Sequence, residues 1–243
     1  MSATTERPMI ELSALTKAYG FLPVLRGITL DIARGDFVGL LGANGSGKST
    51  LLKLLCGLTK PTQGSIRIGG WSIPQEAHAV RPQIGFVSHK SLLYPTLTGR
   101  ENLAFFARLY GIAPERATLG ALLARVGLSK AADRPARTYS RGMMQRLSIA
   151  RALLQDPHLL LFDEPYTGLD QDASATLDAL LQGAHSEGRT LIMTSHDLAS
   201  VARLARRIVI LSRGKVAYDA PNANLTAVAL AELYANVTGE RHQ

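Results

Sequence analysis

Nine residues, Gly42-Ala43-Asn44-Gly45-Ser46-Gly47-Lys48-Ser49-Thr50, constrain the fold of this chain more than any other stretch. Their glycine, lysine and serine spacing is that of a phosphate-binding loop. The loop follows an apolar run, Phe37-Val38-Gly39-Leu40-Leu41, that reads as a buried strand. It precedes Leu51 to Cys56, which reads as a helix closed by Gly57. Strand, loop and helix together make an anion cradle: successive backbone N–H groups converge, and the helix dipole adds positive potential. In such a cradle Lys48 reaches the β- and γ-phosphates of a nucleotide and Ser49 puts its hydroxyl on Mg²⁺. Gly42, Asn44, Gly45, Ser46, Gly47, Lys48, Ser49 and Thr50 are therefore the candidate nucleotide-binding residues. The alternative is a glycine-rich turn ahead of a capped helix, since glycines also serve positive-φ turns.

The chain has 243 residues, 46% of them hydrophobic, enough for one compact unit with a sizeable core. Its 27 basic and 19 acidic residues leave a charge of +8. That suits an anionic partner such as a nucleotide, a nucleic acid or an acidic membrane surface. The charge is dispersed, so it does not choose among them. A single cysteine, Cys56, excludes an internal disulfide and fits a reducing compartment. Cys56 reads as a space-filling residue of the first helix. Met1 to Glu11 has no apolar core of a signal peptide, and no apolar run approaches the ~20 residues that span a bilayer.

Apolar periodicity predicts strands at Ile10–Leu15 and Val24–Ile32, with Gly27 a bulge or turn, and a turn at Pro61–Gly64 before a strand at Ser65–Ile68. From Gly99 to about Leu154 the pattern turns helical, with helices ending at Gly111 and Gly127 and a third over Arg141–Leu154. Strands at Leu159–Phe162, Thr190–Thr194 and Arg207–Leu211 then alternate with helices at Ala173–His185 and Leu198–Arg206. Gly214–Tyr218 reads as a hairpin partner, and Ala227–Asn236 as a last helix. Alternating strands and helices predict an α/β fold with a mainly parallel sheet. An N-terminal antiparallel β subdomain leads into it, and a helical subdomain, about 99–154, is inserted. The whole of 1–243 reads as one domain ending in a tail over 215–243.

Leu159 to Phe162 delivers Asp163 and Glu164 to the end of a buried strand, where carboxylates are costly unless used. Beside a phosphate loop, Asp163 holds Mg²⁺ through water and Glu164 polarises the attacking water. Upstream stands Tyr139-Ser140-Arg141-Gly142-Met143-Met144-Gln145-Arg146; downstream come Gly168-Leu169-Asp170 and Thr194-Ser195-His196-Asp197. That order resembles the ATP-binding subunits of ABC transporters over essentially the whole chain. The resemblance implies a P-loop NTPase of the ABC-ATPase type with a RecA-like core. It implies a head-to-tail homodimer that hydrolyses ATP with Mg²⁺. Tyr19 then stacks on adenine. Ser140 and Gly142 contact the γ-phosphate of ATP held by the opposite subunit. Asp170 links the two sites, and His196 touches the γ-phosphate. The subunit sits at the cytoplasmic face of the cell membrane, held by integral-membrane permease subunits that meet it near Leu92–Glu101, where Leu92, Leu93 and Tyr94 form an apolar-aromatic run. Structural alternatives exist for each: Ser140 and Asp170 are also good helix caps, Gly142 a tight-packing glycine, Tyr19 an ordinary turn residue.

Two departures from the family pattern stand out. Arg141 replaces the first glycine of the signature, as extra positive charge near the cradle or as a solvated side chain. His89 stands where the family has a glutamine; neutral imidazole suits hydrogen bonding to metal-bound water better than direct ligation, because Mg²⁺ prefers oxygen. Phe86 to Tyr94 around His89, Gly70-Trp71 followed by Arg81, and Asp163 to Asp172 resemble the haem-exporter ATPases of cytochrome c maturation. Haem export is therefore the first expectation; Tyr139 to Met143 occurs in that group but also in drug and lipid exporters, so the ATPase of another exporter, for drugs, lipids or polysaccharides, is the alternative. A soluble, non-transport ABC ATPase is the remaining class, disfavoured by the absence of tandem domains, a coiled-coil insert or zinc motifs. No nucleic acid is expected as partner. No haem is expected on this chain itself, which has no Cys-x-x-Cys-His and only scattered histidines.

Overall fold

The computed structural model describes residues 7–88 and 91–239. The apolar run ahead of the phosphate loop is β3 (Phe37–Leu41), all five residues buried. It lies in the interior of a six-stranded sheet with β6 (Ile84–Val87), β7 (Leu159–Asp163), β8 (Thr190–Thr194), β9 (Arg207–Ser212) and β10 (Lys215–Pro221). The order is β10-β9-β3-β8-β7-β6, parallel except for the β9–β10 hairpin. The inner strands β3, β7 and β8, buried along their whole length, need no polar alternation, which is why their sequences read as apolar runs.

Alternate residues of these strands serve two cores. Val38, Leu40, Leu159, Leu161, Ile192, Val209 and Leu211 face one way. There they meet Leu51, Leu52, Leu54 and Leu55 of α1 (Lys48–Leu55) and the inner face of a second sheet. That antiparallel sheet orders β2 (Leu22–Ile32), β1 (Ile10–Tyr19), β4 (Gln63–Ile68) and β5 (Trp71–Ile73). Phe37, Leu41, Leu160, Phe162, Leu191, Met193, Ile208 and Ile210 face the other way, into the helical layer. So α1 is held between two sheets, and the loop before it is fixed by both. A backbone bond from Arg26 N–H to Gly214 O, 2.8 Å, ties β2 to the β9–β10 turn.

Residues 99–154 supply α3 (Gly99–Leu109), α4 (Arg116–Arg125) and α5 (Arg141–Ala152), which pack on one another. Thr98 opens α3 with a capping box shared with Glu101. Asn102, fully buried, binds the backbone of Tyr94, Leu97 and Thr98 and so fixes the segment entering α3. Later come α6 (Gln171–Ser186), α7 (Leu198–Leu204) and α8 (Ala227–Thr238), the last packed on α7, β9 and β10.

Several boundaries differ from the sequence reading. The helix expected over Leu198–Arg206 stops at Leu204, because Ala205 is extended and Arg206 N–H bonds to Phe37 O at 2.7 Å. Gln63 and Gly64 of the expected turn already belong to β4, paired with β1. The register between β1 and β2 slips between Leu15 and Thr16, leaving Gly27 as a bulge at φ +83°. Short elements that escaped periodicity include β5, β6 and α2 (Ala77–Val80).

Candidate functional site

The phosphate loop runs from β3 into α1 and is shaped by its glycines. A Cβ at Gly42 would meet Leu211 O at 2.4 Å, and one at Gly47 would meet Leu25 Cδ2 at 2.4 Å. Both also have positive φ, 149° and 109°, so the loop needs glycine twice over. Gly47 caps α1 without any side-chain hydrogen bond. The first amides of that helix are thus directed at whatever occupies the loop.

Lys48 is buried, and its ammonium donates to Gly42 O and, at 3.2 Å, to Ala43 O. Burial lowers its pKa from the ordinary lysine value; the carboxylates of Glu164 and Asp163 pull the other way. An ammonium held by carbonyls over a loop of amides is a cation waiting for an anion. Ser46 Oγ is buried with no hydrogen-bond partner among the described residues, a second polar group aimed at nothing.

Two carboxylates arrive from β7, 114 residues later. Ser49 Oγ donates to Asp163 Oδ1 at 3.1 Å, and Thr194 Oγ1 donates to the same oxygen at 2.9 Å. Thr194 also accepts the Glu164 N–H, at 3.0 Å on its hydroxyl and 3.2 Å on its carbonyl. Glu164 is left at φ +54°, a conformation costing a non-glycine residue about 1 kcal/mol or more. That turn aims its carboxylate away from the strand and over the loop. Oε2 accepts the His196 N–H at 3.1 Å; Oε1 is buried without a hydrogen bond among the described residues, with His196 Nε2 3.4 Å away. Glu164, His196, Lys48 and the phosphate loop line one cavity of about 390 Å³, walled on the other side by Leu22 and Val24 of β2.

The remaining sequence candidates lie at other places. Ser140 is exposed and caps α5, accepting Met143 N–H at 3.2 Å. Gly142 is buried, and a Cβ there would stand 2.8 Å from Ala173 Cβ of α6. Asp170 caps α6 through Ala173 N–H at 2.8 Å. The structural roles considered for these three are therefore realised. They leave the Ser140 and Asp170 side chains exposed for further contacts. Tyr19 is not among the cavity's lining residues; its ring is 49% exposed, with Lys17 Nζ 4.7 Å from its centroid. His89 lies outside the described residues. Of the apolar-aromatic run, Leu92 and Tyr94 are exposed and Leu93 is buried. Cys56 is half-buried, and burial, with a smaller push from Asp163, raises its thiol to about 12. Sequence reasoning missed the work of Thr194, which positions both acids. The only signal was a hydroxyl at the last position of a strand, and its partners, the two acids, are 30 and 31 residues away.

The sequence profile of the ABC transporter family matches residues 25–167, which include the loop and both acids. The Nod factor export ATP-binding protein I of Ralstonia nicotianae is 36% identical over 222 residues, 90% of this chain and 69% of that protein. A linearmycin resistance ATP-binding protein of Bacillus subtilis is 36% identical over 210 residues, 86% of this chain and 68% of that one. Among solved structures, an ATP-binding subunit of an ABC transporter superposes with a TM-score of 0.83 at 30% identity, over 94% of this chain and 99% of the other. An ATP-binding cassette solved as a dimer in a post-hydrolysis state with ADP and Pi gives 0.80 at 30% identity, over 88% of this chain and 99% of its own. The family profile, the curated relatives and the solved structures agree, and the chain belongs to the ABC transporter family as an ATP-binding subunit.

Proposed function

We propose that the chain hydrolyses ATP as a head-to-tail homodimer and that closure of the dimer drives an exporting permease in the membrane. The observation that carries this reading is the convergence of Lys48, Glu164 and His196 on one cavity above the phosphate loop. The triphosphate lies along the amides at the start of α1, with Lys48 exchanging its carbonyl partners for β- and γ-phosphate oxygens. Glu164 Oε1, free of hydrogen bonds, orients the attacking water, and His196 reads the γ-phosphate. Ser49 and Asp163 already share a hydrogen bond, and their oxygens are the hard donors that suit Mg²⁺. When bound there, Mg²⁺ neutralises charge developing on the phosphates. Ser140 and Gly142 meet the partner's γ-phosphate, so ATP bridges two subunits and its hydrolysis removes the bridge. Tyr19 offers an exposed ring for adenine, Asp170 a link across the dimer, and His89 a hydrogen bond to metal-bound water. Residues 99–154 act as a helical subdomain within one domain spanning 1–243.

The Nod factor and linearmycin relatives support export as the direction of transport. Among the described residues no helix is long and apolar enough to cross a membrane, and this reading assigns the crossing to a permease. Haem export is a second reading, resting on the run Phe86–Tyr94 and on Gly70-Trp71. Capture of the tagged chain from native membranes in mild detergent, with mass spectrometry of its partners, tests both. A permease with haem-handling histidines or tryptophan-rich segments supports the second reading, and a different permease the first. Soluble partners alone would overturn the transport assignment.

A further inference from the structure

The signature run contains one residue that the mechanism above does not use, Arg141. Its guanidinium lies flat on the turn between β7 and α6. A Cβ at Gly168 would stand 2.6 Å from Arg141 Cζ, 2.7 Å from Nη1 and 2.8 Å from Nε. Gly168 is at φ +71°, so the contact exists because this position has neither side chain nor ordinary backbone. Among the described residues the Arg141 side chain has no ion pair, so no carboxylate holds it there. One residue on, Gly142 fits against Ala173 with no room for a Cβ. Two successive residues of the signature run therefore clamp two points of the segment 168–173.

That segment is continuous with Glu164. Thr167 N–H bonds to Glu164 O at 3.3 Å, and Leu169 N–H to Tyr166 O at 3.1 Å, so the turn is internally braced. Arg141 and Glu164 also line a common cavity of about 260 Å³. Close-packed contacts of this kind transmit displacement rather than absorb it. A planar guanidinium is suited to lie against a peptide in a way that a lysine ammonium is not.

We propose that Arg141 is a positioning residue that transmits engagement of Ser140–Gly142 to Glu164 of the same subunit. ATP held against one subunit's signature run thereby sets the water-orienting carboxylate in that subunit's own site, and the two sites of the dimer fire in concert. This rests on the head-to-tail ATPase reading.

The test is steady-state ATP hydrolysis by the full chain across a range of ATP concentrations, with thermal melts to confirm folding. Wild type gives a sigmoid curve with a Hill coefficient of about 1.5–2, two sites being the ceiling. Arg141→Ala lowers kcat roughly 5- to 10-fold, keeps KM within about twofold, and brings the Hill coefficient to about 1. Arg141→Lys, which keeps the charge and loses the plane, behaves like the alanine variant. Gly168→Ala, which fills the guanidinium's place, loses cooperativity as well. A non-cooperative wild type overturns the proposal. So does an Arg141→Ala enzyme with unchanged Hill coefficient and kcat, or full rescue by lysine. Turnover that survives Glu164→Gln rejects Glu164 as the water-orienting carboxylate, and the Arg141 proposal with it, whereas a wild-type chain that hydrolyses no ATP rejects the ATPase reading itself.

Discussion

Glu164 is the residue on which most depends. Its main chain is strained and anchored by Thr194, and its side chain holds the His196 amide while one oxygen stays free. Glu164→Gln keeps the shape and the Oε2-type acceptor but loses the negative charge. We expect ATP binding to persist and turnover to fall by about 10²–10³, the range for a general base or a positioned charge; single-turnover hydrolysis beside a nucleotide-binding titration checks it. Thr194→Val should lower steady-state turnover, because it leaves the Glu164 N–H only the backbone carbonyl of residue 194 and Asp163 Oδ1 only Ser49. Cys56, its thiol raised to about 12 by burial, has almost no thiolate near neutral pH. Alkylation at pH 8 should be more than about tenfold slower in the folded chain than in urea, which mass spectrometry of timed samples measures. At this scale the sequence was informative where chemistry is local. The loop, the acids after β7 and the histidine after β8 each announce themselves within a few residues. Thr194 does not, because a strand-end hydroxyl gains meaning only from the partners that folding brings to it.

At the scale of elements, the helical segment 99–154 is joined to the core by more than apolar packing. Arg125, at the end of α4, meets Glu187 beyond α6 at 2.6 Å, and Arg189 bridges Glu187 at 3.2 Å and Asp156 at 2.5 Å. Hydrogen bonds from these arginines hold the carboxyls of Glu187 and Asp156 below their ordinary values. Both ionise at lower pH folded than unfolded. They therefore contribute stability above the unfolded carboxylate range, about pH 4–4.5, and lose it as pH falls through their folded values. The acids are well exposed, so solvent screens the gain. Glu187→Gln should cost about 0.5 kcal/mol, a shift of roughly 1–2 °C in Tm at pH 7 that shrinks below pH 4 and in 1 M salt. Thr98→Ala removes half of the capping box of α3 and should cost about 1 kcal/mol, or 2–4 °C, by calorimetry. Strands and helices were legible from periodicity because each buries a whole face. β5, β6 and α2 are too short to show a period, and the end of α7 is set by a bond from Arg206 to Phe37, which no local pattern encodes.

For the whole molecule, the expectation is a monomer that dimerises on ATP when hydrolysis is blocked. Light scattering of the Glu164→Gln chain should show a doubled mass with ATP and Mg²⁺ and a single mass with ADP. A mass unchanged by ATP would leave Ser140 and Gly142 with only their capping and packing roles. The sequence by itself determined the phosphate loop, the two strand-end acids, the longer strands and helices and the family. These depend on residues close together in the chain, or on the burial of whole faces. Only the tertiary structure decided which strands neighbour β3, that Ser49 and Asp163 meet across 114 residues, that Thr194 serves both acids, and that Arg141 rests on Gly168. Such pairings follow from sheet order and helix packing, which the chain fixes through its whole set of long-range contacts rather than through any segment of its own.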